Sequence, residues 1–97
     1  MKAYELLFFV SPALEEEERE ATVKRVNDTI SNQGGSVDNV DNWGRRKLAY
    51  EVDKLTDGDY TLLDFHAEPS TISEIDRVLR ITDNIKRHMI TVHPDHK

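Results

Sequence analysis

Arg45, Arg46 and Lys47 stand side by side in the segment Trp43-Gly44-Arg45-Arg46-Lys47-Leu48-Ala49-Tyr50, which otherwise reads as a β-strand. Adjacent cations bind phosphate and carboxylate oxygens by charge and by directed N–H donation. The cluster runs against a formal net charge of -6. Like charges placed next to one another do not help a strand fold, so the cluster reads as a contact surface for an anion, with nucleic acid the first candidate. The competing reading is a solvated edge strand, where Lys and Arg discourage pairing with other chains.

A second cationic group, Arg77, Arg80, Lys86, Arg87 and His88, surrounds a helix-to-strand connection, and Lys2 and Tyr4 open the first strand. Arg and Lys can hold phosphates while Tyr stacks or donates to sugar, the mixture that irregular RNA calls for. A sequence-reading sheet of the RRM type needs aromatics in a Gly-Phe/Tyr pattern. The segment Tyr60-Thr61-Leu62-Leu63-Asp64-Phe65-His66 does not supply it. Arg77 and Arg80 also have a plainer use, pairing with Glu74, Asp76 or Asp83 along the helix.

Other chemistries find less support. His66, His88, His93 and His96 lack His-x-x-x-His spacing, and with no cysteine there is neither a thiolate zinc site nor a disulfide. The carboxylates of residues 15–18 point in different directions around a helix and read as a solvated face. No Gly-x-Gly-x-x-Gly or Walker loop follows a strand, and no serine has a Gly-x-Ser-x-Gly context. Asp64 and His66 share a strand face without a nucleophile or oxyanion donors beside them. No catalytic residue, metal ligand or cofactor is expected.

The elements that would position these residues follow from periodicity. Residues 4–10 form a strand with apolar side chains on both faces, as in the centre of a sheet. Ser11-Pro12 reads as a helix start, Val23, Val26 and Ile30 as the buried stripe, and Gly34-Gly35 as the stop. A second strand runs over residues 36–52. Val37 lies on odd positions and Leu48, Tyr50 and Val52 on even ones, which predicts one bulge near Gly44. Such a bulge would bring both Val37 and Leu48 to the core. Asp57-Gly58 reads as a turn, residues 60–67 as the returning strand, and Thr71-Ile72-Ser73-Glu74 as a capping box before a short helix. Residues 85–92 form the last strand and 93–97 a short flexible tail.

Strand, helix, strand, strand, helix, strand is the order of the α+β, ferredoxin-like split βαβ fold: a four-stranded antiparallel sheet with both helices on one face. The first and third strands take the centre, and the basic segment lies on an edge. The other sheet face has no helix over it, which leaves its apolar residues to a partner. At 97 residues, 37% hydrophobic and 33% charged, the chain is a single domain over 1–97 with a modest core and no room for a buried small-molecule substrate. With no secretory signal and no run of membrane-spanning length, it is expected to be cytoplasmic.

The chain resembles the sixth protein of the bacterial small ribosomal subunit. The matching pieces are Tyr4-Glu5, Ser11-Pro12-x-Leu14, Gly34-Gly35-x-Val37, the whole of residues 43–50, Gly58-x-Tyr60 and Arg80-Ile81-x-Asp83-Asn84-Ile85-x-Arg87. They keep their order and spacing over residues 2–92. The resemblance implies a structural protein that binds the central domain of small-subunit ribosomal RNA together with the eighteenth protein of that subunit. Carried over by position, the contact residues are Lys2, Tyr4, Arg45, Arg46, Lys47, Arg80, Lys86, Arg87 and His88. Many members carry a long acidic tail that is not expected here. Two other classes share the fold: a small dimerising module that uses the open face, and an acylphosphatase-like enzyme. The latter needs an Arg in the loop after the first strand, where this chain has Ser11-Pro12-Ala13-Leu14.

Overall fold

Tyr4, Leu6, Phe8 and Val10 alternate along the first strand and are all buried on one side of it, which places the core. The computed structural model describes residues 2–52 and 54–92, the side chains of residues 49–52 excepted. The expected tail, 93–97, lies outside the described residues.

The elements are β1 (Lys2–Val10), α1 (Glu16–Asn32), β2 (Ser36–Val52), β3 (Leu55–Ala67), a 3-10 turn (Pro69–Thr71), α2 (Ile72–Arg80) and β4 (Ile85–Val92). The sheet order is β2-β3-β1-β4, antiparallel throughout, so the ferredoxin-like expectation holds and the basic segment is on an edge strand. Leu63, Phe65 and Ala67 of β3 join the buried side of β1, and Val26 and Ile30 of α1 with Ile75 and Leu79 of α2 close over them. Both helices therefore cover one face. Leu6 opposite Leu63 and Tyr4 opposite Phe65 fill the middle of that layer, the latter pair with ring centroids 5.6 Å apart.

Helix ends differ from the sequence reading at two places. Ser11 does not cap α1: its Oγ accepts from the Ala13 N–H and its carbonyl from the Leu14 N–H, a tight turn that delays the helix to Glu16. Thr71 does not form a capping box either. Its hydroxyl donates back to the Glu68 carbonyl inside the 3-10 turn, and Glu74 binds Arg77 instead. The stop of α1 is as expected. Gly34 takes φ +84, and the Gly35 N–H returns to the Ile30 carbonyl at 2.9 Å, a Schellman closure.

The β2–β3 hairpin is longer than the turn residues suggested. Asp57 and Gly58 lie within β3, opposite Lys47 and Arg46, and the chain reverses near Lys54, at φ 65. Glycine at position 58 serves a close approach, since a Cβ there would come 2.7 Å from the Phe9 ring. Against β3, β2 shifts register at three places, between Val37 and Asn39, between Asn42 and Gly44 and between Lys47 and Val52. The second is the bulge expected near Gly44. The first offsets its change of phase, so Val37 packs on the core while Arg46 falls on the open side, and Leu48, beyond the last regular pair Lys47–Asp57, is not among the core residues.

Candidate nucleic-acid interface

The hairpin carries the cationic segment clear of the helices. Strand alternation turns Arg45 and Lys47 to the helix side, opposite Asp59 and Asp57, and Arg46 to the open side, opposite Gly58. Arg45 is held in place: its Nε and Nη2 reach Asp57 Oδ2 at 2.8 and 2.7 Å. Arg46 and Lys47 are exposed and make no salt bridge among the described residues. The Arg46 guanidinium lies 5.8 Å from the centroid of the Trp43 ring, and Trp43 stacks over Tyr60 at 6.4 Å. The Gly44 bulge, with φ +78, sets Trp43 on the open face. Arg46 therefore ends on an aromatic platform.

The other basic residues do not form one patch with this cluster. β4 has one extra residue against β1, between the pairs Val10–Ile85 and Phe9–Arg87, and that residue is Lys86. Lys86 is exposed, and Arg87 lies opposite Phe9 on the open side. Both stand at the same end of the sheet as the hairpin. Lys2 pairs with Ala67 at the opposite end, and Tyr4 is only 6% exposed with its ring stacked on Phe65. Tyr4 thus contributes to the core, and its ring faces are taken.

Arg80 and His88 belong to the helix side. Both bind Asp76, Arg80 from one turn further along α2 and His88 Nε2 from β4 at 2.6 Å. The hydrogen bond from His88, then that from Arg80, holds the Asp76 carboxyl below its ordinary value. Arg77 is likewise paired with Glu74, its Nη2 2.6 Å from Oε2. The plainer use of the α2 arginines is the one observed. Arg45, Arg46, Lys47, Lys86 and Arg87 stand at one end of the sheet but on its two opposite edge strands, Arg80 and His88 lie on the helix side bound to Asp76, and Lys2 and Tyr4 lie towards the other end.

The residue reading did not include Trp43 and Tyr60 as a platform for Arg46, nor Lys54. Lys54 is exposed at the hairpin reversal and continues the cationic arm. Its signal was available, because antiparallel pairing brings 47 opposite 57 and places 54 beyond the cluster.

The uncovered face has its own order. Met89, Leu7 and Leu62 form an apolar row across β4, β1 and β3, with Asp41 of β2 at its end. Towards the hairpin lie Phe9, Tyr60, Trp43 and the cations Arg87 and Arg46. In the other direction lie Glu5, Asp64, Asp38 and His66, with Asp38 and His66 hydrogen-bonded. Among the described residues no group of three or more His, Asp or Glu is placed to hold a metal ion.

A ferredoxin-like sheet with helices on one side, an open apolar face and a cationic hairpin defines a small α+β contact module. A family model described as Ribosomal protein S6 matches residues 3–92. The small ribosomal subunit protein bS6 of Clostridium botulinum (strain Loch Maree / Type A3) is 53% identical over 90 residues, 93% of this chain and 96% of the relative. That of Clostridium kluyveri is 49% identical over 90 residues, covering 93% and 95%. The crystal structure of 30S ribosomal protein S6 from Thermotoga maritima superposes with a TM-score of 0.89 at 35% identity, over 95% of this chain and 87% of that one. The chain belongs to the ribosomal protein S6 family. It is a structural protein of the small ribosomal subunit and not an enzyme.

Proposed function

We propose that this chain binds the central domain of small-subunit ribosomal RNA jointly with the eighteenth protein of that subunit. As a small-subunit ribosomal protein it works in the cytoplasmic ribosome, where it binds ribosomal RNA and other ribosomal proteins. The observation that supports joint binding is the contrast between a net charge of -6 and the small group of cations at one end of the sheet. Arg45 already shares its charge with Asp57, so few cations remain to displace counterions from RNA. Contacts this few correspond to the non-specific range, roughly 10⁻⁴–10⁻⁶ M at physiological salt. A basic partner would neutralise most of the phosphate charge, while the hairpin cations position this chain against the backbone.

The test compares binding of central-domain RNA by this protein alone, by the eighteenth protein alone and by the two mixed, at physiological salt. Tight binding is expected only from the mixture. Tight, sequence-specific binding by this chain alone would overturn the reading. So would a mixture no tighter than the eighteenth protein by itself.

A further inference from the structure

Thr22 occupies a place on the buried stripe of α1 where its spacing to Val26 and Ile30 calls for an apolar side chain, and it is 3% exposed. Its hydroxyl donates to the Glu18 carbonyl at 2.9 Å and accepts from Asn84 Nδ2 at 3.2 Å. The first bond stays within the helix. The second reaches the short connection between α2 and β4. That connection is a turn closed by the Ile85 N–H on the Thr82 carbonyl at 3.1 Å, and Arg25 Nε donates to Thr82 Oγ1 at 3.2 Å. Two hydrogen bonds to α1 therefore fix where β4 begins.

The start of β4 decides the direction of Lys86. His88, Met89 and Ile90 pair regularly with Phe8, Leu7 and Leu6, so the body of the sheet sets the register up to Arg87. A regular ladder carried one residue further would put Lys86 opposite Val10 and, by alternation, turn its side chain to the helix layer. Ile85 takes that place instead: it pairs with Val10 and joins the core at 8% exposure. Lys86 becomes the extra residue of a bulge, exposed and in no salt bridge among the described residues.

We infer that Asn84 and Thr22 are positioning residues for Lys86, holding the bulge that turns its ammonium group out to a phosphate of bound RNA. The inference rests on the reading that this chain meets ribosomal RNA jointly with a partner, and it assigns a contact within that reading. Burial of Ile85 favours the same bulge, but a valine at position 22 would serve the packing as well as threonine does. The hydroxyl adds the bond to Asn84, the residue next to Ile85. One neutralised phosphate is worth a slope of about 0.7–0.9 in log K against log salt, or about four- to fivefold in affinity at ~0.15 M salt.

Two measurements test this. In the isolated full chain, cross-strand nuclear Overhauser effects report the bulge. Wild type should show Val10 against Ile85, and both Thr22→Val and Asn84→Ala should weaken that contact and bring Lys86 opposite Val10. An unchanged Val10–Ile85 contact in both variants overturns the inference without any RNA present. The second measurement is binding of central-domain RNA by this chain mixed with the eighteenth protein. Lys86→Ala should weaken binding about fourfold and lower the salt slope by about 0.7–0.9. Thr22→Val should match that loss while melting within about 5 °C of the wild type, and adding Lys86→Ala should weaken binding no further. Thr22→Ser keeps the hydroxyl and loses a buried methyl, so it should melt lower and yet restore wild-type binding. Affinities that follow melting temperature across these variants would assign the pair to stability alone and overturn the inference. Failure of the joint-binding reading shows in the wild-type mixture itself. A Lys86→Ala variant that binds like the wild type leaves that reading standing and overturns this one.

Discussion

The Phe9 ring lies directly over the Cα of Gly58, so close that a Cβ added there would sit 2.7 Å from its Cδ1. Phe9 is on the open face yet 4% exposed, sheltered by this approach and by Tyr60, whose ring centroid is 5.1 Å away. The contact ties the arm that carries Arg45–Lys47 to the central strand. Gly58→Ala must push the ring or the strand aside, and we expect it to lower stability by about 1–3 kcal/mol, the usual cost of overpacking. Denaturant unfolding checks this. A loss below about 0.5 kcal/mol would show that the ring moves freely.

Gly44 has open space around its Cα and φ +78, so a side chain there meets strain and no clash. Gly44→Val should cost about 1–2 kcal/mol through the left-handed backbone. It should also disturb the bulge that sets Trp43 on Tyr60. Red-shifted tryptophan emission in the folded variant is the expected signature. Unchanged emission with unchanged stability would show that the bulge tolerates any residue.

Asp76 joins α2 to β4 through His88 and takes Arg80 on its other oxygen. Its folded pKa lies below the ordinary value of 3.8, mainly because His88 and then Arg80 hydrogen-bond the carboxylate. A depressed carboxylate contributes stability above the unfolded pKa and loses it as pH falls through the folded one. The side chain is 37% exposed, so solvent screening limits the contribution to about 1 kcal/mol or less. Asp76→Asn should therefore lower the melting temperature at pH 7 and converge with the wild type below pH 3.8. Equal differences at both pH values would assign the loss to packing.

Arg46 and Lys47 are exposed, so reversing both charges should leave stability within about 0.5 kcal/mol of the wild type. Incorporation into reconstituted small subunits should weaken by more than about 1 kcal/mol, the scale of a desolvated charge contact. Thermal melting of the isolated double variant and competitive incorporation against wild type measure the two effects. Normal incorporation with normal stability would return the cluster to the role of a charged edge that keeps other strands away.

Local pattern alone carried the element order and the edge position of the cationic segment. Apolar residues on both faces of β1 required a central position, and the period of Val26 and Ile30 and of Ile75 and Leu79 gave the helix stripes that close the core. Gly34-Gly35 announced its own closure, because a Schellman motif is complete within six residues. Arg45–Lys47 on an edge strand followed from the same reasoning, since charge and alternation are properties of a short segment.

The corrections arise where a residue's role depends on a distant part of the chain. Asp57-Gly58 has the composition of a turn, but Phe9, far away in sequence, is what requires a glycine there. A phase difference between Val37 and Leu48 reports a bulge without excluding a second one, and only pairing with β3 counts them. Tyr4, Arg80 and His88 have side chains suited to RNA. Burial against Phe65 and pairing with Asp76 give them a role within the fold as well. Side-chain chemistry and local period are written in neighbouring residues, and they settled the fold class and the cationic hairpin. Whether a given group faces RNA, a partner or the core depends on register and on which distant side chain reaches it first, and that is a property of the packed sheet.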